Sequence, residues 1–150
     1  MRLSQKGIEH LKVVEGVKYD AYNDGGGVMT AGVGHVLKGD ELNRTTFTEA
    51  EVVAWLKEDV KDSEDTVNDF VGVELNQHEF DALVSFVFNV GRTAFRTSTL
   101  LKRLNKGLYT QVRHQMMRWV YDNGVYVKGL ENRRVYDLDV FYNGEYLSRG

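Results

Sequence analysis

The sequence predicts an α+β fold in which a small β-hairpin near the N-terminus is followed by a series of amphipathic helices. Two strand-forming segments, at about residues 18–22 and 28–30, enclose a run of turn-forming residues with three consecutive glycines. From about residue 49 onward, apolar residues instead recur at the three- and four-residue spacing of helices. The 150 residues are enough for one domain with a sizeable hydrophobic core.

The composition excludes several classes of protein. A hydrophobic content of 42% with 11% aromatic residues is typical of a globular chain, not a disordered one. There is no Cys, so neither a disulfide scaffold nor a thiolate metal site is possible. The net charge of −3 gives no sign of a nucleic-acid partner, and the four His residues lack metal-ligand spacing. We therefore predict no metal, no cofactor and no nucleic-acid binding.

Charge is distributed unevenly along the chain. Residues 1–75 contain 8 Lys or Arg and 15 Asp or Glu, whereas residues 76–150 contain 11 and 7. A basic C-terminal half can help the protein to meet an anionic polymer. Most of these charges are interpreted more simply as solvated helix faces.

The N-terminal segment has the pattern of an amphipathic helix that ends at an acid. Ser4 is a suitable N-cap because its hydroxyl can accept a backbone N–H of the first turn. Ile8, Leu11 and Glu15 share one face, and Gly16 is a natural helix stop. Since that face points inward, Glu15 is predicted to be partly buried, which favours the neutral carboxylic acid. General acid catalysis needs a carboxyl group that stays protonated in this way.

The hairpin that follows carries a second acid and a hydroxyl. Asp24 falls on its polar tip, where water favours the ionised carboxylate. Glu15 and Asp24 thus have different surroundings, as an acid and a base require. The hydroxyl of Thr30 can both donate and accept, and could hold a water molecule near Asp24. Simpler explanations remain open, since Asp-Gly turns are common, acids near helix ends often form surface salt bridges, and Thr favours strands.

A long helix is predicted at about residues 49–70, after a linker at residues 36–47. Thr48 and Glu51 have the capping-box pattern that starts a helix. One side of this helix is apolar and the others are rich in carboxylates, so it can bridge two lobes of a protein. A break around residues 71–75 ends it.

The next helix, at about residues 77–89, has the most apolar face of the chain and is predicted to be the core helix of a C-terminal lobe. Asn76 and Glu79 form its capping box. The remaining predicted elements are a loop at residues 92–97, helices at about 98–106, 110–119 and 130–142, and a turn at 122–124.

Three ordered blocks of the chain resemble the phage-type lysozymes, glycoside hydrolase family 24. The resemblance spans nearly the whole chain, and three blocks in order are far more specific than one triad of residues. The first block contains Glu15-Gly16, Tyr22, Asp24-Gly25, Thr30, Gly32 and Gly34-His35; the second covers residues 76–86 and 88–91; the third contains Trp119 and residues 129–134.

This resemblance implies a two-lobe lysozyme-like α+β fold in a single domain. Residues 16–48 would form the β-containing N-terminal lobe, residues 49–70 the bridging helix, and residues 71–150 with 1–15 the helical lobe. A glycan strand would bind in the cleft between the lobes.

The resemblance also implies hydrolysis of the β-1,4 bond between N-acetylmuramic acid and N-acetylglucosamine in peptidoglycan. Glu15 would act as the acid, Asp24 as the base and Thr30 as the residue that orients water, with inversion at the anomeric carbon. Supporting roles fall to His35, expected to pair with a carboxylate on the following helix, and to an Arg that pairs with the acid. Arg133 is favoured for that pairing, and Arg134 remains the open alternative.

The predicted partner is the glycan strand of peptidoglycan, bound by a monomeric enzyme. Charged residues interrupt the first fifteen positions, so we predict neither a secretory signal nor a membrane span there. The enzyme would then wait in the host cytoplasm and reach the wall through a holin-type pore. Three rival functions remain open: a lytic transglycosylase acting on the same bond, a non-catalytic peptidoglycan-binding module, and a structural component of the virion.

Overall fold

The computed structural model describes residues 1–148 of the chain. The strands are β1 (Lys18–Asn23), β2 (Met29–Gly32), β3 (His35–Val36), β4 (Tyr121–Asp122) and β5 (Val125–Tyr126). The helices are α1 (Gln5–Glu15), α2 (Glu49–Asp59), α3 (Lys61–Phe70), α4 (Gln77–Val90), α5 (Arg92–Arg96), α6 (Thr99–Asn105), α7 (Val112–Met116) and α8 (Lys128–Asn143), with 3-10 turns at Gly39–Asn43 and Tyr109–Gln111.

The N-terminal lobe is a three-stranded antiparallel sheet in the order β1-β2-β3. The predicted hairpin is present, and Tyr22 lies opposite Thr30 in it. The third strand was missed, because two residues are too few for an alternating pattern to be recognised. It pairs antiparallel with β2, with His35 opposite Ala31, and so forms the edge of the sheet.

The first helix forms as predicted. The Ser4 hydroxyl accepts the backbone N–H of Gly7 at 3.0 Å and caps its start. Gly16 ends it with a φ of 81°, a left-handed conformation that favours glycine. Glu15 is therefore the last helical residue.

The predicted single helix at residues 49–70 is instead two helices, α2 and α3, separated at Val60. Hydrogen bonding continues across the junction, since the Val60 N–H donates to the Leu56 carbonyl at 2.9 Å and the Glu64 N–H to the Val60 carbonyl at 2.8 Å. No Gly or Pro marks this break, so propensity could not reveal it. Val60 is 1% exposed and packs with apolar residues of α1 and α2, so the position is set by tertiary packing.

Three clusters of buried apolar residues organise the molecule. The helical lobe is built around α4, the predicted core helix, whose Phe80, Leu83 and Phe86 are fully buried and which packs against α8. The sheet lobe has a small core of its own, formed by Ala31, Leu37 and Phe47 with the partly buried Trp55. An interlobe cluster joins α1, the sheet lobe and α2 through Ile8, Leu11, Val33, Val52, Leu56 and Val60.

The predicted loop at residues 92–97 is wrong, because this segment forms the short helix α5. Gly91 stops α4 with a φ of 93°, and Phe95 anchors the new helix by complete burial in the core. A window of five residues is too short to show helical periodicity on its own.

Two further segments differ from prediction near the C-terminal part of the helical lobe. The helix expected at residues 110–119 is a 3-10 turn followed by α7, which ends at Met116. The predicted turn at residues 122–124 is confirmed, but it joins β4 and β5 into a hairpin. Asn123 and Gly124 have φ values of 50° and 78°, as a two-residue hairpin turn requires.

Within residues 1–148, no helix combines the length and the apolar character needed to cross a lipid bilayer.

Candidate active site

Glu15 and Arg133 form the ion pair at the centre of the candidate site. The Arg133 Nη1 donates to Glu15 Oε1 at 2.5 Å. The Glu15 side chain is 26% exposed and that of Arg133 is 8% exposed, so the acid faces solvent while its partner is buried. The partner predicted for the acid is confirmed as Arg133.

The opposite side of the Arg133 guanidinium is also occupied. Its Nη2 donates to the Ser85 carbonyl at 3.1 Å and to the Ser85 hydroxyl at 3.4 Å. Its Nε lies 3.9 Å from Asp137 Oδ2, one helical turn further along α8. Residues of α4 and α8 therefore hold the guanidinium in place independently of its bond to Glu15 on α1.

Arg134 has a different position although it is the next residue. Its Nε donates to the Trp119 carbonyl at 2.8 Å, and its Nη2 donates to the Asn89 side chain. Its guanidinium lies over the Phe86 ring at 5.0 Å. Burial lowers the pKa of Arg134 to about 10, against the opposing effect of the Asp137 carboxylate. Arg134 therefore ties α8 to α4 and the segment after α7, and Glu15 takes its hydrogen bond from Arg133.

Asp24 is exposed at the tip of the β1–β2 hairpin, as predicted. Its Oδ1 accepts the backbone N–H of Gly26 at 2.8 Å and that of Val28 at 3.2 Å. The turn thus fixes the carboxylate through one oxygen. Among the described residues, the other oxygen has no hydrogen-bond partner and is free to bind a water molecule.

Thr30 is 5% exposed and lies on the same hairpin. Its hydroxyl donates to the Val28 carbonyl at 3.2 Å, which also accepts the backbone N–H of Asp24 at 3.0 Å. Asp24 and Thr30 are therefore both bonded to the main chain of Val28. The donor of the Thr30 hydroxyl is used in this way, and its lone pairs remain as acceptors.

His35 is a buried bridge between the sheet lobe and α2. Its Nδ1 lies 3.0 Å from Asp59 Oδ2, which confirms the expected pairing with a carboxylate of the following helix. Its Nε2 lies 3.2 Å from Glu41 Oε1, and its ring stacks on Trp55 at 4.3 Å. Burial acts to raise the pKa of Glu41, but hydrogen bonds from the Lys38 backbone and His35 outweigh it and the net pKa is lowered. The contacts of His35 are structural.

Sequence reasoning missed a buried polar group behind the ion pair. Asp137 is 0% exposed and its Oδ1 lies 2.9 Å from His10 Nε2 and 2.8 Å from the Ser85 hydroxyl. The signal was present, since Asp137 follows Arg133 by four residues and so lies on the same helix face. Within residues 1–148, no group of three or more His, Cys, Asp or Glu is arranged to hold a metal ion.

Comparison with known proteins places this arrangement in a family. The model of the phage lysozyme family matches residues 12–137. The chain belongs to the phage lysozyme family. This lysozyme is a glycoside hydrolase of the endolysin type, so it is an enzyme and not a non-catalytic binding module.

Relatives of known sequence and structure agree with this assignment. The SAR-endolysin of Escherichia phage Mu is 38% identical over 139 residues, which cover 93% of this chain and 78% of the relative. The endolysin of Salmonella phage P22 is 39% identical over 122 residues, covering 79% and 84%. The solved endolysin from the Escherichia coli O157:H7 phage FAHEc1 superposes with a TM-score of 0.86 at 33% identity, over 99% of this chain and 98% of that one. The predicted two-lobe lysozyme-like fold is therefore confirmed.

A further solved structure, the muramidase domain of SpmX from Asticaccaulis excentricus, has a TM-score of 0.84 at 32% identity. The match covers 95% of this chain and 98% of that one.

Proposed function

We propose that this endolysin hydrolyses the β-1,4 bond between N-acetylmuramic acid and N-acetylglucosamine in bacterial peptidoglycan. The observation that carries the proposal is the ion pair between Glu15, at the solvent-facing end of α1, and the buried Arg133. The hairpin that follows α1 presents Asp24, a second carboxylate in quite different surroundings. The description of one structural neighbour as a muramidase domain supports the same bond.

Glu15 acts as the general acid in the proposed reaction. Its proton passes to the glycosidic oxygen as the bond from that oxygen to the anomeric carbon breaks. The carboxylate that remains is paired with Arg133, which stabilises the negative charge where it develops.

Asp24 acts as the general base on the opposite face of the sugar. A water molecule attacks the anomeric carbon and gives a proton to the free oxygen of Asp24. Thr30 orients this water, because its hydroxyl oxygen still has acceptor capacity after donating to Val28. Direct attack by water inverts the anomeric configuration, which requires carboxyl groups about 6.5–9.5 Å apart to leave room for it.

Two charge-removing variants test the two roles. We expect Glu15→Gln and Asp24→Asn to lose cell-wall clearing by at least about a hundredfold while remaining folded. Asp20→Asn is the matched control, since it removes an exposed carboxylate from the same hairpin. Full clearing by Glu15→Gln would remove this residue from the mechanism.

The chemistry of the product provides an independent test. Early proton NMR spectra should show the inverted anomer with a free reducing end, and mass spectrometry should find water added across the bond. An anhydro sugar, together with wild-type clearing by Asp24→Asn, would indicate a lytic transglycosylase.

The protein acts at the cell wall at lysis, as endolysins do. The route we propose is accumulation in the host cytoplasm followed by passage through a holin-type pore. Fractionation of expressing cells should find the enzyme in the periplasm only when such a pore protein is co-expressed. Its appearance there without the pore would overturn this route.

A further inference from the structure

A buried charge cluster lies directly behind Glu15. Arg133 is 7% exposed, Arg134 is 1% exposed and Asp137 is 0% exposed. Three buried atoms of this cluster, Arg133 Nε, Arg134 Nη1 and Asp137 Oδ2, have no hydrogen-bond partner among the described residues. Arg133 Nε and Asp137 Oδ2 face one another at 3.9 Å. They are opposite charges separated by slightly more than a hydrogen bond, so each compensates the other electrostatically.

The acid role proposed for Glu15 creates a problem for its partner. Before each turnover Glu15 must carry a proton, and in that state it is neutral. A buried guanidinium paired with Glu15 alone would then lose its counter-charge, and an unpaired buried charge is strongly destabilising. Without another carboxylate nearby, Arg133 would keep Glu15 ionised and inactive as an acid.

Asp137 is held as a hydrogen-bond acceptor by His10 of α1 and Ser85 of α4. The backbone N–H of Leu147 donates to His10 Nδ1 at 3.1 Å, so that nitrogen is an acceptor. The ring proton is therefore on Nε2, which donates to Asp137 Oδ1 at 2.9 Å. The hydroxyl of Ser85 donates to the same oxygen at 2.8 Å. Asp137 Oδ1 thus accepts two hydrogen bonds and donates none in return, as a carboxylate does.

Ser85 also connects the carboxylate to the guanidinium. Its hydroxyl gives its proton to Asp137 and presents its lone pairs to Arg133 Nη2 at 3.4 Å, beside the carbonyl contact at 3.1 Å. Arg133 is thus restrained by α4 and α8 whether or not Glu15 is ionised.

We infer that Asp137, oriented by His10 and Ser85, is the permanent counter-ion of Arg133 and positions it, so that Glu15 can alternate between acid and carboxylate. The inference rests on the proposed function, in which Glu15 is the general acid. Asp137 is a positioning residue, since it acts on Glu15 only through Arg133.

The inference predicts the direction in which the pH dependence of activity shifts when the charge of Asp137 is removed. Around this cluster the charged and titratable groups are His10 and Glu15 from α1, Arg133 and Arg134 from α8, and Tyr146 from the C-terminal segment, whose ring lies 6.2 Å from His10. Burial raises the pKa of Tyr146, which is therefore uncharged at neutral pH. Asp137→Asn would leave two buried guanidinium groups with Glu15 as their nearest remaining carboxylate. Glu15 would then give up its proton at lower pH.

The experiment measures kcat/KM against pH on a peptidoglycan suspension. We expect Asp137→Asn to move the alkaline limb to lower pH by about one unit, which is roughly a tenfold loss at a fixed pH on that limb. Asp139→Asn is the matched control, because it removes the same charge from the same helix at a partly exposed position. An unmoved limb in folded Asp137→Asn, or an equal shift in the control, overturns the inference.

A second variant decides the question if Asp137→Asn fails to fold. Ser85→Ala keeps every charge and loses one hydroxyl, and we expect a severalfold fall in kcat with KM unchanged. Wild-type kcat in this variant would overturn the positioning role. The activity of Glu15→Gln separates the two proposals. If that variant is active, the acid role proposed for Glu15 fails; if it is inactive while the Asp137→Asn profile is unmoved, only the counter-ion role of Asp137 fails.

Discussion

At the scale of single residues, Glu51 shows how one carboxylate can support a helix start. Its Oε1 accepts the Thr48 backbone N–H at 3.0 Å and the Arg44 Nη2 at 2.9 Å, and its Oε2 accepts Arg44 Nη1. The hydrogen bond from Arg44, followed by that from the Thr48 backbone, lowers the pKa of Glu51 to about 2. A carboxyl whose pKa is lowered by folding stabilises the native state above its ordinary value of 4.5, and this stabilisation is lost as pH falls towards 2.

We expect Glu51→Gln to lower the urea midpoint at pH 6, because the neutral amide cannot form the ion pair with Arg44. The difference from wild type should narrow steadily below pH 4.5, because the unfolded chain takes up a proton at Glu51 there while the native carboxylate stays ionised until about pH 2. Urea titrations at pH 6, 4 and 3 measure this, with Glu74→Gln as a control at an exposed position outside the helices. Equal midpoints at pH 6, or a difference that does not narrow with acid, would contradict the prediction.

The residues of the candidate site differ in how far the sequence alone could predict their positions. The local positions of Glu15, Asp24 and Thr30 could be predicted because each has a signal in the nearby sequence. Glu15 precedes a helix stop, Asp24 lies in a glycine turn and Thr30 lies in a strand. The choice between Arg133 and Arg134 was not, because adjacent helical residues point about 100° apart and only the packed neighbours decide which one faces α1. His10 lies 127 positions from Asp137, so no local pattern links them.

At the scale of elements, the helices that were predicted correctly are those with an N-terminal cap and a helical spacing of apolar residues. The helices that begin at Gln5, Glu49, Gln77 and Thr99 were predicted, and each has a side-chain cap in the structure, from Ser4, Thr48, Asn76 and Ser98. Such caps satisfy backbone N–H groups by local chemistry, so they are visible in sequence.

The missed elements depend on distant contacts or are very short. The separation of α2 from α3 follows the burial of Val60, and α5 exists because Phe95 fills the core of the helical lobe. Strands β3, β4 and β5 have two residues each, too few for a period of two to be measured. Helix α8, by contrast, begins at Lys128 without a side-chain cap, and its start was placed two residues late.

At the scale of the whole molecule, the two lobes differ in how much apolar surface they bury. The sheet lobe has a core of three buried residues with Trp55 beside them, whereas the helical lobe contains the large cluster around α4. Regions with few buried apolar contacts open at lower free energy than the core does. The hairpin that carries Asp24 therefore belongs to the more easily opened lobe, whereas Arg133 belongs to the more rigid one.

Glu49 is one polar connection between these lobes. It accepts hydrogen bonds from Lys12 on α1 and from Tyr19 on β1, while it begins α2. Burial alone would lower the pKa of Lys12, but its bonds to Glu49 and Glu9 outweigh this and the pKa is raised. Lys12 contributes this stabilisation fully below its ordinary pKa of 10.5 and loses it only above that value, so the connection is intact at neutral pH.

Native-state hydrogen exchange should resolve the lobes and their connection. We expect amides of β1 and β2 to exchange through openings of lower free energy than amides of α4, since the smaller core is easier to expose. Glu49→Gln should lower the opening free energy of the sheet lobe by about 1 kcal/mol, because Lys12 loses its principal partner. The effect is no larger than this because Glu49 is half exposed and solvent screens the ion pair. The α4 amides should change less, and Glu74→Gln should change neither lobe. Identical opening free energies in β2 and α4 would show that the enzyme opens as one cooperative unit, and the hairpin carrying Asp24 would then move only when the whole molecule unfolds.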